Sequence, residues 1–189
     1  LSNHDLRGSL GRWRKMSEEE ESPHGAAWRF LADDHRRLDT LLDDAGDCRS
    51  AAEIDAYEQF RRGLLHHISM EEKVLLPDAQ RVRGQPLAEA ARLRLDHGAL
   101  AALMMAPPGP RIIRAIRFVL ARHNPVEENP GGVYDSCERV VGAAGDTLLA
   151  KLRATPAVPV KPWLDSPQVF EAIRHSLERA GYEPSLIDI

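Results

Sequence analysis

The sequence predicts an all-α fold: an up-down-up-down four-helix bundle with a kinked fourth helix and an extra C-terminal helix. Three observations carry this. Apolar residues recur at three- and four-residue spacing through four long segments. Hydrophobic residues make up 43% of the chain but aromatic ones only 5%, with leucine and alanine prominent, a balance that suits helices over strands. Proline- and glycine-rich breaks fall between the segments.

Residues 1–24 pass from basic (Arg12, Arg14, Lys15) to acidic (Glu18 to Glu21) and reach Pro23, which predicts a weakly ordered arm. The bundle is expected over residues 25–154. Its first helix, residues 26–45, carries Trp28, Leu31, Leu38 and Leu42 on one stripe. A polar connection with Gly46 leads to a second helix, residues 51–76, marked by Tyr57, Phe60, Leu64, Ile68 and Leu75 and expected to stop at Pro77. The third spans residues 87–105, with Leu93, Leu100 and Met104, and ends before Pro107-Pro108-Gly109-Pro110. The fourth starts near Arg111 and carries Ile113, Ile116 and Leu120. Pro125, Pro130 and Gly131-Gly132 disturb it, and the periodicity resumes through Cys137, Val141, Leu148 and Leu152, as expected of one helix continuing past a kink. Residues 155–189 form a Pro-rich linker and a short helix with Phe170, Ile173 and Leu177 on one face, closed by Gly181. That helix is too short to fold alone and is expected to dock on the bundle or on a protein partner.

Composition excludes several functions. A net charge of −4 with mixed signs argues against a nucleic-acid binder that neutralises phosphates. No run of 18 apolar residues predicts a membrane span. Only two cysteines occur, without metal-ligand spacing, so a disulfide scaffold is not expected, and a reducing, cytoplasmic location is.

Each of the four long helices places a histidine on its apolar stripe. His35 falls between Leu31 and Leu38, and His97 between Leu93 and Leu100. His67 and Glu71 lie in one row with Leu64 and Leu75, and His123 and Glu127 continue the row of Ile116 and Leu120. Residues four apart stack on one helix face, so each His-x-x-x-Glu pair can reach a shared site. A lone histidine on an apolar face is ordinarily a hydrogen-bonded core residue; four on consecutive helices, two with a glutamate at i+4, form a ligand set. Four imidazoles and two carboxylates exceed one tetrahedral zinc and suit two metals. Two readings stand at Glu127, because Asn124-Pro125-Val126-Glu127 also fits a helix restart with a capping-box glutamate. Glu128 is then the alternative ligand. His66 is off the stripe, a rim group or a support behind the ligands, and Tyr57 and Tyr134 are candidate inward donors of the same kind. His4, His24 and His175 read as solvent-exposed, and Glu72 as a surface ion-pair residue.

The stretches Asp34-His35-Arg36-Arg37-Leu38, His67-Ile68-Ser69-Met70-Glu71, Asp96-His97-Gly98-Ala99-Leu100 and His123-Asn124-Pro125-Val126-Glu127-Glu128 resemble the hemerythrin-like (HHE cation-binding) family over residues 26–153. The resemblance implies a non-haem di-iron centre with a bridging oxo or hydroxo group, held by His35, His67, Glu71, His97, His123 and Glu127. Glu71 and the fourth-helix carboxylate would be its bridges; manganese or zinc could take the same ligands. The sequence departs from the oxygen carriers of that family at the third helix, where Leu93 and Ala101 flank His97 at four-residue spacing and a second imidazole is missing. The expected function is binding of O2 or NO for sensing, storage or detoxification. The alternatives are a di-iron enzyme (peroxidase, NO reductase or oxidase, with peroxide or an organic substrate) and an iron- or redox-responsive interaction module.

Overall fold

The computed structural model describes residues 24–187, and these are helical with no strand among them. The N-terminal arm expected over residues 1–24 lies, but for His24, outside the described residues. His24 is only partly exposed: it stacks on Trp28 and reaches Asp135 at 3.0 Å.

Helix α1 (Ala26–Asp44) buries Leu31, His35, Leu38 and Leu42 on one face. Its first turn has no local side-chain cap. Glu138, far along the chain, accepts from the backbone N–H groups of Gly25 and Trp28 at 2.8 and 2.9 Å and serves as the cap. Helix α2 (Ala51–Met70) opens on a capping box formed by Ser50 and Glu53. It does not stop at Pro77. It passes through a single π-helical turn, Glu71–Leu75, into α3 (Leu76–Arg83), which ends at Gly84 in the left-handed conformation (φ 81°). Pro77 falls in the first turn of α3, where its missing N–H is tolerated, and it faces solvent.

Helices α4 (Ala90–Leu103) and α5 (Pro110–Glu128) complete the four long segments. Helix α5 runs through Pro125 without restarting. Pro125 and Ala121, the residue one turn earlier, are exposed, so the carbonyl that lacks its usual donor lies on the solvent side of the helix. The single kinked fourth helix expected from the sequence is instead broken at residues 129–132. A new helix, α6 (Val133–Val141), follows, then a 3-10 turn and α7 (Gly145–Arg153).

Residues 154–166 run along α2. The Thr155 carbonyl lies 2.9 Å from His66 Nε2, the Lys161 carbonyl accepts from Arg61 at 3.0 Å, and the Arg61 guanidinium sits over the Trp163 ring. Helix α8 (Pro167–Arg179) then docks through Val169, Ile173 and Leu177, all buried. Each such side chain contributes about 1.5–3 kcal/mol when fully removed from water. The apolar face of the C-terminal helix is thus occupied by the bundle itself.

The core forms two apolar clusters. One joins Leu38 and Leu42, Phe60 and Leu64, Leu100 and Leu103, Ile116 and Leu120, and the α8 face. The other joins Leu31, Met70, Leu75, Leu93, Tyr134, Cys137, Leu148 and Leu152. Along α1, α2 and α4 the inward histidine falls between residues of one cluster and residues of the other. A polar layer therefore separates two dry ones.

Candidate metal centre

That polar layer holds His35, His67, Glu71, His97, His123 and Glu127, all buried. They form two groups sharing both glutamates: His35, His67, Glu71 and Glu127 in one, His97, His123, Glu71 and Glu127 in the other. Within each group the donor atoms lie within 4.8 Å of one another.

The two carboxylates each face both ways. Glu71 Oε1 is 3.3 Å from His67 Nε2, and its Oε2 is 3.2 Å from His97 Nε2. Glu127 Oε2 is 3.5 Å from His35 Nε2, and its Oε1 is 3.3 Å from His123 Nε2 and 3.9 Å from His97 Nε2. The residues present therefore fit a metal centre in which each carboxylate faces donors of both groups. A second observation supports the fit: Glu71 Oε2, His97 Nε2 and Glu127 Oε1 are buried without any hydrogen-bond partner. Burying three such atoms unpaired is costly, and their close spacing without hydrogen-bond alignment is what atoms sharing an ion require.

Electrostatics point the same way. Burial alone would depress the His67 imidazole, but Glu71, Asp34 and Glu127 hold it up, to about 10. His123 is likewise pulled down by burial yet held up to about 10 by Glu127 and Asp96, and His97 to about 9 by Glu71 and Glu72. Burial pushes the Glu71 carboxyl up, but His67 and His97 bring it well below its usual range. Without metal, protons on the imidazoles balance the buried carboxylates; with metal, the cations take over that task. Cys137 lies buried beside this layer, and burial together with Glu71 and Glu127 pushes its thiol up to about 12, so it stays neutral.

Every histidine has a carboxylate behind it. Nδ1 of His67 is 2.9 Å from Asp34, Nδ1 of His97 is 2.8 Å from Glu72, Nδ1 of His123 is 3.4 Å from Asp96, and Nδ1 of His35 contacts Glu128. Such a partner fixes the tautomer and leaves Nε2 free to bind metal. Glu128 thus stands behind His35, while Glu127 is the buried fourth-helix carboxylate. Asp34 and Asp96 did not stand out in the sequence in this role, and Glu72 read as a surface residue. It does pair with Arg94 at 3.0 Å, but its other oxygen serves His97.

Of the remaining candidates, Tyr134 reaches the centre and the others do not. Its hydroxyl lies 2.6 Å from Glu71 Oε1, 3.2 Å from His67 Nε2, and 3.3 Å from both His35 Nε2 and Glu127 Oε2. Tyr57 is packed in the α8-side apolar cluster against Phe60, and His66 is engaged with the Thr155 carbonyl.

Among the described residues no helix is long and apolar enough to cross a membrane. No curated protein and no solved structure matches the chain. The family model of the hemerythrin HHE cation-binding domain matches residues 26–129, more than half of the sequence and the whole of the histidine and glutamate layer. The chain belongs to the hemerythrin HHE cation-binding domain family.

Proposed function

We propose that the protein is a non-haem di-iron protein that binds O2 or NO for sensing, storage or detoxification. The observation that carries this reading is the pair of buried donor groups sharing Glu71 and Glu127. His35 and His67 would hold one iron, His97 and His123 the other, with both glutamates bridging. Helix ends that alternate in direction around the α8-side apolar cluster support an up-down-up-down arrangement of α1, α2, α4 and α5. A reduced di-iron pair supplies electrons and free coordination positions for a diatomic ligand.

The chain's own residues supply the rest. The apolar clusters on either side exclude water, and the outer carboxylates hold each imidazole in one tautomer. Purified protein should take up two irons per chain and lose them in His67→Ala, as read by elemental analysis. Ferrous-loaded protein should then change its visible spectrum on exposure to O2 or NO; an unchanged spectrum rejects the gas-binding role.

A second reading, a di-iron enzyme acting on peroxide or an organic substrate, is favoured by the third-helix position where Leu93 and Ala101 stand beside His97 and offer no donor. Sustained turnover with an electron donor separates it from stoichiometric, reversible binding. The interaction-module reading loses its main support, since Val169, Ile173 and Leu177 are used up in docking on the bundle.

A further inference from the structure

The two halves of the centre are not equal. The His97–His123 half contains only its imidazoles and one oxygen from each glutamate. On the His35–His67 half, the Tyr134 hydroxyl sits 2.6–3.3 Å from all four donor atoms at once. No hydrogen-bond scheme satisfies all four at once, because a hydroxyl gives one hydrogen bond and two carboxylates face it. A phenol has one proton and can give it to one acceptor, here Glu71 Oε1 at 2.6 Å. With Asp34 and Glu128 engaging Nδ1 of His67 and His35, the Nε2 atoms of both face the same point and, once a metal displaces their protons, turn lone pairs toward it. Five lone-pair atoms converge there, and what satisfies such a convergence is a cation.

The spacing is also that of ligands around one ion. Metal–donor bonds of about 2.1 Å place neighbouring donors of an octahedral ion about 3.0 Å apart. The Tyr134 oxygen stands 2.6–3.3 Å from the other four, around that separation.

Resting on the di-metal reading, we infer that Tyr134 is a fifth protein ligand, binding as phenolate to the ion held by His35 and His67. Ligation replaces the phenol O–H bond by an oxygen–metal bond and releases the proton to solvent, with no change of oxidation state. Its consequence is an asymmetric pair: the His35–His67 ion is nearly filled by protein, and external ligands bind at the His97–His123 ion. Tyr134 reaches this place because α6 begins anew at Val133, after the tight turn at residues 129–132, and its ring is fully buried.

The test uses the whole chain loaded anaerobically with ferrous iron, desalted and oxidised with ferricyanide. Iron content is measured first, and then visible absorption and resonance Raman scattering. The expected result is two irons per chain with a tyrosinate-to-Fe(III) charge-transfer band and phenolate ring modes. Both are lost in Tyr134→Phe and kept in Tyr57→Phe. Azide, as an external probe, should add its own absorption and leave the tyrosinate band in place. Two bound irons without the band, or a band that survives Tyr134→Phe, overturns the ligand assignment while leaving the di-iron reading intact. A band displaced by azide overturns the asymmetry. Protein that binds no iron overturns both readings, and the metal assay reveals that before any spectrum is taken.

Discussion

The Asp34 carboxylate, on α1, lies 2.9 Å from Nδ1 of His67, on α2, and the same relationship is repeated around the bundle. Glu72, in the π turn after α2, supports His97 on α4. Asp96 on α4 supports His123 on α5, and Glu128 on α5 supports His35 on α1. The cycle closes. In every case the supporting acid is the immediate neighbour in sequence of a buried donor: Asp34 beside His35, Glu72 beside Glu71, Asp96 beside His97, Glu128 beside Glu127. One residue is a rotation of about 100° on a helix, so the neighbour of an inward ligand points sideways, toward the adjacent helix. Each long helical segment thus supplies one or two donors to the centre and one support to the next.

This ring predicts how the outer acids behave on substitution. Asp34→Ala, Glu72→Ala and Asp96→Ala should each weaken iron binding about 10–100-fold, measured by competition with a chromophoric chelator. Asp33→Ala is the control: Asp33 is 67% exposed in its side chain and pairs only with Arg36, so affinity should stay unchanged. Equal loss in Asp33→Ala would mean that general negative charge, not the ring, sets the affinity.

What the sequence made legible follows the same geometry. Inward ligands share the apolar stripe, so a period of 3.6 residues picks out His35, His67, Glu71, His97 and His123 at once. Their supports fall off the stripe by one residue and look like ordinary surface acids, because their partners lie on another helix, which spacing within one segment cannot reveal. Prolines misled for a different reason. Pro77 read as a helix end and Pro125 as a kink or a helix restart, yet the helix runs through each on a solvent-facing side. The C-terminal helix was visible as an amphipathic segment, but its face is shifted: Val169 rather than Phe170 is the buried residue of its first turn.

The raised imidazoles set the pH response of the metal-free protein. His67 and His123 stand at about 10 and His97 at about 9, above the roughly 6.5 of an unfolded histidine. A folded value above the unfolded one contributes stability that is full below about pH 6.5 and is lost as pH rises through about 9–10. Metal-free protein should therefore show a falling Tm between pH 7 and pH 10, followed by circular dichroism. Iron uptake should respond in the opposite sense, because the metal must displace those protons, and its affinity should rise over the same range. A metal-free Tm that climbs toward pH 10 would contradict the charge balance assigned to the empty centre.

Gly132 is where α6 turns to bring Tyr134 over the centre. A Cβ there would meet the carbonyl oxygens of Asn129, Glu127 and Val126 at 2.7–2.8 Å, and these are backbone atoms that cannot rotate away. Gly132→Ala should cost about 1–3 kcal/mol by thermal or urea unfolding and lower iron content with it. Gly98→Ala carries the opposite sign. It lies inside α4 with nothing within 4 Å of an added Cβ, so alanine should stabilise by up to about 1 kcal/mol. Similar losses at both positions would mean that the turn is not constrained as its geometry indicates.

The C-terminal segment is tied to the centre through Tyr182, whose hydroxyl donates to Asp96 Oδ1 at 2.9 Å, while Asp96 Oδ2 lies 3.4 Å from His123 Nδ1. Burial, followed by Asp96, pushes the Tyr182 phenol up to about 12, so it remains a donor across the physiological range. Removing that hydroxyl should loosen one imidazole and leave the rest of the layer in place. Tyr182→Phe should therefore weaken uptake of one iron more than the other, turning the titration with ferrous iron into two resolved phases, with the fold intact by circular dichroism. Deleting residues 155–189 should do more, because it also uncovers the core faced by Val169, Ile173 and Leu177: stability and iron content should fall together. A truncated chain that keeps both irons and its Tm would show that the tail is an appendage and not a wall of the bundle.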